Sequence, residues 1–272
     1  MFSVVIRIRI EPIEESLRAL QANLRASRKV VYVRFGDNDL FHMVGKDGRG
    51  RYLRRPIGRN KTAFSETLQS DLLQAIRVKH PFYMRAVGAR WRVEPLMQGT
   101  FFAGNRVPKC LPRYIKKVLP RDRQFFHPVL FSYLACLEPE KWRSFCEEFL
   151  HPKRKIFVGS LDPDKLTPLG KFDGWVRTPY QNAPRYTAEA KKLLADQVRQ
   201  GDMVILGCGQ LSRVLAPWLW ELEAEVQAID IGSHIDAYVG RFTRRYLKRF
   251  GPCLHAEAAQ FQLPRSPEEK PG

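Results

Sequence analysis

The 272-residue sequence predicts an α/β fold, a mostly parallel sheet flanked by helices. Three observations carry this expectation. From Lys155 onward, short β-branched and apolar segments alternate with amphipathic ones, the succession that builds parallel strands joined by crossover helices. The run Val30 to Phe35 is apolar at successive positions, as in a strand buried on both faces. An apolar strand, Met203 to Leu206, leads directly into Gly207-Cys208-Gly209 and a helix. With 44% hydrophobic and 27% charged residues, the chain is too apolar to be disordered.

The elements follow in order. Glu11-Pro12 opens a helix with Ile13, Leu17, Leu20 and Leu24 on one face and Glu14 and Glu15 in the first turn, where acids suit the helix dipole. Lys29 to Phe35 is the first strand, and Gly36-Asp37-Asn38 reads as the loop that ends it. Polar, Gly- and Arg-rich sequence to Lys61 reads as an exposed excursion. Ser65 is placed to cap a helix carrying Leu68, Leu72 and Ile76. The stretch from Pro81 to Pro128, rich in Pro and Arg, permits only short elements. Glu138-Pro139 starts a helix with Trp142, Phe145, Cys146 and Phe149 inward.

Beyond these, the pattern predicts strands at Lys155–Val158, Trp175–Thr178, Met203–Leu206 and Glu225–Ile231. It predicts helices at Thr187–Gln200, Gln210–Leu222 and His234–Arg249. A single domain over residues 1–263 and a polar tail over 264–272 are the expected organisation.

Charge narrows the partners. Lys and Arg number 46 against 28 Asp and Glu, a net +18. The surplus is uneven: residues 1–61 hold 14 basic and 6 acidic side chains, and Arg241 to Arg249 holds five basic ones and no acid. Such a field attracts a nucleic acid, an anionic membrane surface or a phosphorylated substrate. No aromatic residues are interleaved with the basic runs in the manner of nucleic-acid modules, so nucleic acid is the least favoured of the three.

No apolar stretch reaches membrane-spanning length, and Met1 to Ile10 lacks a signal-peptide pattern. Five widely spaced cysteines without a Cys-x-x-Cys pair point to a reducing cytoplasm and to no structural zinc.

Three segments can carry chemistry. In Gly207-Cys208-Gly209-Gln210 the backbone can approach a ligand closely while helix amides face an anion, and Asp230, 23 residues beyond Gly207, ends the next strand where a ribose-binding acid sits. Arg34-Phe35-Gly36-Asp37-Asn38-Asp39 places two carboxylates behind an Arg at the end of the first strand. That set can hold a divalent cation bridging phosphates, or it can be a solvated turn. Ala228-Ile229-Asp230-Ile231-Gly232-Ser233-His234-Ile235-Asp236 puts His234 at a helix start, as a metal ligand, a phosphate donor or a capping residue.

On these residues the chain resembles the GT-D glycosyltransferases. Arg34 to Asp39 is similar to their Arg-Phe-Gly-Asp-Gly-Glu signature. Leu206 to Ala216 and Gln227 to Asp236 are similar to their Leu-Gly-Pro-Thr-Ala-x-Val-Leu-Ala and Ala-x-Asp-Ile-Gly-His-x-Asp segments, and the similarity spans roughly Glu11 to Phe242. The resemblance implies one Rossmann-like domain that moves a hexose from a nucleotide sugar, typically a UDP-sugar, to a glycan acceptor, with a divalent metal such as Mn2+ or Mg2+.

Carried over, Asp37, Asp39 and His234 would hold the metal. Arg34, Gly207, Gly209, Gln210 and Asp230 would hold the donor, and Asp37, Asp39 and Asp236 would serve catalysis, with His234 a further candidate base. Four departures stand out: Asp39 replaces a glutamate, Asn38 replaces a glycine, Gly207-Cys208-Gly209 stands where the family has Gly-Pro-Thr, and Ser233 is an extra residue before His234. A cytoplasmic enzyme acting on lipid-linked glycan would gain from basic patches facing an anionic membrane.

Two other readings compete. An S-adenosylmethionine-dependent methyltransferase would use Gly207, Gly209 and Asp230 in the same way, but only 42 residues follow Asp230. A noncatalytic nucleic-acid-binding protein would rest on charge alone.

Overall fold

Successive side chains of the central strands enter two different cores, as a sheet covered on both faces requires. Val30, Tyr32, Met203, Ile205 and Ile229 join one core; Val31, Val33, Phe35, Val204, Leu206 and Ala228 join the other. The computed structural model describes residues 9–46, 51–56, 61–87, 119 and 124–260. Within it, β2 (Val30–Phe35), β3 (Tyr83–Val87), β5 (Lys155–Gly159), β6 (Gly174–Arg177), β7 (Met203–Gly207) and β8 (Gln227–Asp230) form a parallel sheet in the order β3-β2-β8-β7-β5-β6. A separate parallel pair joins β1 (Arg9–Ile10) and β4 (Gln124–Phe125).

The first core is covered by α1 (Ile13–Ala26), α4 (Leu130–Leu137), α5 (Pro139–Phe145) with its π-helical continuation Cys146–Leu150, and α8 (Arg245–Gln260). The second is covered by α2 (Asp37–Val44), α3 (Glu66–Arg77), α6 (Thr187–Gln197) and α7 (Gln210–Glu221). The steps β2 to β3, β6 to β7 and β7 to β8 move one way along the sheet and pass through helices on the second face. The step β5 to β6 moves the other way, and its connection packs Leu161, Leu166 and Leu169 on the first face. Opposite direction on the opposite face gives these steps one common handedness, as crossovers within a parallel sheet are expected to share.

This winding positions the site. After β2 and β7 the chain turns toward the second face, whereas after β8, which lies between them, it turns toward the first. Neighbouring strands whose chains diverge leave a crevice at their carboxyl ends.

Two expectations change. Residues 37–39 form the first turn of α2 rather than a loop, because the Asp39 carboxylate accepts from the Gly36 amide at 2.7 Å and closes that turn. The helix expected over His234–Arg249 is split into a 3-10 turn at His234–Asp236 and α8, with Gly232 and Gly240 at positive φ on either side of the turn. The stretch expected to hold only short elements contributes the five-residue strand β3, and Leu130–Leu137, for which the sequence pattern predicts no element, is a helix. The amino-terminal residues 1–8, much of the Arg-rich stretch (88–118 and 120–123), Cys110 and the tail at 264–272 lie outside the described residues.

The described cysteines Cys136, Cys146, Cys208 and Cys253 are free thiols. Among the described residues, no helix is long and apolar enough to cross a membrane.

Helix α3 separates capping from packing. The Ser65 hydroxyl accepts from Leu68 N at 3.1 Å, and Leu72 is fully buried. Ser65→Ala is expected to cost about 1 kcal/mol and Leu72→Ala about 2–5 kcal/mol, read as shifts in urea unfolding midpoint at constant slope.

Candidate functional site

Three chain segments meet at the carboxyl ends of β2, β8 and β7, and buried charge holds them there. Arg34, near the end of β2, places Nε 3.3 Å from Asp230 Oδ1 at the end of β8. The other oxygen of Asp230 is 3.1 Å from Arg213 Nη1, and Arg213 Nε lies 3.2 Å from Asp39 Oδ2. Arg213 Nη1 also donates to the Gly209 carbonyl. Asp39, Asp230 and Arg213 are 3%, 2% and 7% exposed, so each charge depends on the others rather than on water. Burial pushes the Asp39 carboxyl above its ordinary pKa, against the pull of Arg213. Burial alone would lower the Arg213 pKa, but Asp230 and Asp39 hold it above its ordinary value.

The glycines have separate tasks. Gly209 has φ +62° and ψ −131°, a conformation for glycine, and it begins α7. Gly207 is a close-packing residue: a Cβ there would lie 2.9 Å from Ile235 Cδ1 and from Phe157 Cε2. Gln210 is buried, and its amide reaches His42 Nδ1 at 3.1 Å, tying the start of α7 to α2. The same ring nitrogen lies 2.8 Å from the Asn38 carbonyl. Cys208 lies against the Ser212 hydroxyl at 3.3 Å, and burial pushes its thiol up to about 12, leaving it unreactive.

Several expected site residues depart from their expected roles. Asp37 and Asp39 are two positions apart on a helix, which sends their side chains to different sides: Asp37 is exposed and Asp39 buried. His234 is fully buried, with its ring edge-to-face on Trp142 (centroids 5.1 Å apart) and Tyr238 (5.9 Å). The Ile231 backbone beside it falls short of hydrogen-bond geometry with either ring nitrogen. Burial, with Arg34 adding to it, lowers the His234 pKa to about 3, so the ring is a neutral core member. Asp236 accepts from the Thr243 hydroxyl at 2.6 Å and braces the loop before α8. Asp230, expected to read a ribose, is instead engaged by two arginines.

These placements test the divalent metal that the resemblance implies. Among the described residues no group of three or more His, Cys, Asp and Glu side chains is arranged to hold a metal ion. Asp37, Asp39 and His234 therefore do not form the expected ligand set. Asp39 Oδ1 is buried with no hydrogen-bond partner, a single oxygen where a cation or a ligand hydroxyl could be met. The network around it is already balanced, two carboxylates against two guanidiniums, and a divalent ion would leave buried surplus charge. The side chains present do not fit a protein-chelated divalent cation.

Sequence reasoning passes over Arg213 and His42. A signal for Arg213 is present: it is the one charged residue before Glu221 in a helix that is otherwise mostly apolar, and α7 is buried along nearly its whole length. His42 is hidden because the start of α2 reads as a loop.

Gly232 serves Arg34 directly. At φ +89° its missing Cβ would lie 2.3 Å from Arg34 Nη1, whereas Gly201, at φ +82°, has nothing within 4 Å. Gly201→Ala should cost only backbone strain, about 1–2 kcal/mol, and Gly232→Ala clearly more, compared by chemical denaturation.

Acid stability follows from the buried imidazoles. His234 and His127, the latter lowered to about 4 by burial, stay neutral in the fold while the unfolded chain takes protons below about pH 6.5. Their contribution is complete above that pH and is lost on acidification. Between pH 7.5 and pH 5 each removes about 2 kcal/mol, and His234→Phe should roughly halve the histidine-dependent loss in a pH series of unfolding curves.

No family model matches the chain, and no curated protein matches it. Two solved structures do. One, of the domain of unknown function 1792, is described as having "a distinct glycosyltransferase fold"; it aligns with TM-score 0.63 and 20% identity over 86% of this chain and 81% of its own. The other, a selenomethionine-substituted structure of the same domain, aligns with TM-score 0.61 and 19% identity over the same shares. The parallel sheet with its helical layers is thus the fold that these structures of the domain share.

Proposed function

We propose that the chain is a glycosyltransferase that moves a hexosyl group from a nucleotide sugar, a UDP-sugar by preference, to a glycan acceptor. The observation that carries this reading is the convergence of the β2–α2 turn, the β7–α7 glycine turn and the end of β8 on one edge, in a fold described for a glycosyltransferase. Two helices, α2 and α7, start after β2 and β7, and Gln210, the first residue of α7, meets His42 in the last turn of α2. The first-turn amides and dipole of α7, which carries no acid in its first turn, favour a diphosphate at the crevice.

In the proposed reaction an acceptor hydroxyl oxygen forms a bond to the anomeric carbon as the bond from that carbon to the diphosphate oxygen breaks. The acceptor proton passes to a carboxylate, and the nucleoside diphosphate leaves with the bonding pair. Charge developing on the diphosphate is met by the helix amides and by the guanidiniums of Arg34 and Arg213. Asp37, exposed at the start of α2, is the proposed proton acceptor. The other candidates are less suited, His234 being shut in the core and Asp236 occupied by Thr243.

A methyltransferase reading loses support because Asp230 is consumed by arginines and no strand follows β8 among the described residues. A cytoplasmic setting is proposed with it. There, exposed Arg54, Arg55, Lys248 and Arg249 would favour peripheral contact with an anionic membrane surface.

The test is a thermal-shift panel of nucleotide sugars and S-adenosylmethionine. A UDP-sugar at about 100 times its Kd should add about 2.7 kcal/mol, a rise of several degrees in Tm, and the matching transfer or hydrolysis should release UDP. A shift produced by S-adenosylmethionine alone would contradict the proposal.

A further inference from the structure

We propose that Arg213 is a built-in counter-cation that takes the place of the divalent ion, so that nucleoside diphosphate binds here without metal. The inference rests on the reading of the site as a nucleotide-sugar crevice, and it concerns what supplies the positive charge there.

Three observations carry it. The first is occupancy: Asp39, at the position where the resemblance implies a metal ligand, has Oδ2 engaged by Arg213 Nε at 3.2 Å and by the Gly36 amide at 2.7 Å. The second is reach. Arg213 spans all three converging segments, touching Asp39 after β2, Asp230 at the end of β8 and the Gly209 carbonyl after β7. A metal shared among a motif, a neighbouring acid and a phosphate turn would occupy the same central position.

The third is the uncommitted nitrogen. The inner nitrogens Nε and Nη1 are committed, while Nη2 has no hydrogen-bond partner among the described residues and is not sealed from solvent. Arg34 is arranged in the same way, with Nη1 donating to the Pro128 carbonyl, Nε facing Asp230 and Nη2 left over. A guanidinium is positive at every working pH and presents donors in a planar fork that matches phosphate oxygens. Asp230 and Asp39 fix the orientation of Arg213, which makes it a preorganised donor rather than a mobile one. Mutual neutralisation also explains how an arginine is kept in the interior of a nearly apolar helix.

The experiment titrates UDP into the wild-type chain by calorimetry, once in EDTA and once in MnCl2, and separately titrates Mn2+ alone followed by electron paramagnetic resonance. The affinity for UDP should be the same in both buffers, and the protein alone should show no stoichiometric Mn2+ site. Arg213→Gln should weaken UDP about tenfold or more. By releasing Asp39 and Asp230 it should also create Mn2+ binding that the wild type lacks. UDP binding that disappears in EDTA would overturn the proposal, as would a wild-type Mn2+ site that Asp39→Asn removes.

Neither wild-type titration depends on whether the Arg213 variant folds. If UDP binds in neither buffer, the nucleotide-sugar reading fails, and the Mn2+ titration still decides whether Arg213 excludes a metal from Asp39.

Discussion

Two guanidiniums and two carboxylates share the protein interior at the carboxyl edge of the sheet, and each is tolerable only because the others are there. Removing any one of Arg34, Asp230, Arg213 or Asp39 would strand a buried charge, a loss typically worth about 3–5 kcal/mol. The chain of ion pairs therefore does more than stabilise. It fixes the relative positions of three segments that are almost 200 residues apart in sequence, from Arg34 to Asp230. Any chemistry at this edge inherits that rigidity.

The sheet makes the ion pairs geometrically available. With β8 between β2 and β7, Asp230 is flanked by the ends of both neighbours, and Leu206 of β7 pairs in register with it. Diverging connections on the two faces open the crevice, and the left-handed backbone at Gly209 and Gly232 lets the chain turn without a side chain intruding. At Gly232 the vacated volume is filled by Arg34. Packing and electrostatics are thus the same constraint seen from two sides.

Much of this architecture is legible in the sequence. Strand periodicity from Lys155 onward, the doubly apolar β2 and the strand-glycine-helix passage at Gly207 all follow from local physics that the fold respects. What is hidden depends on tertiary partners. The helical start at Asp37 is closed by a carboxylate-to-amide bond that a Gly-Asp-Asn string does not announce, and the helix reverses the sense of the Asp37 and Asp39 pair by sending them to opposite sides. The position of His234 in the sequence suggests a surface or ligand residue, but its place in the core is set by Trp142, nearly a hundred residues earlier. Arg213 is visible only as an oddity in an apolar helix, with nothing local to name its partners.

That the three segments form one diphosphate-binding edge is tested most directly by a crystal structure of the protein with UDP. The diphosphate is predicted over the end of β8, between the first turns of α2 and α7 and within hydrogen-bonding distance of Arg213 Nη2 or Arg34 Nη2. A nucleotide bound on another face, or one whose phosphates face away from Gly209 and both arginines, would contradict it.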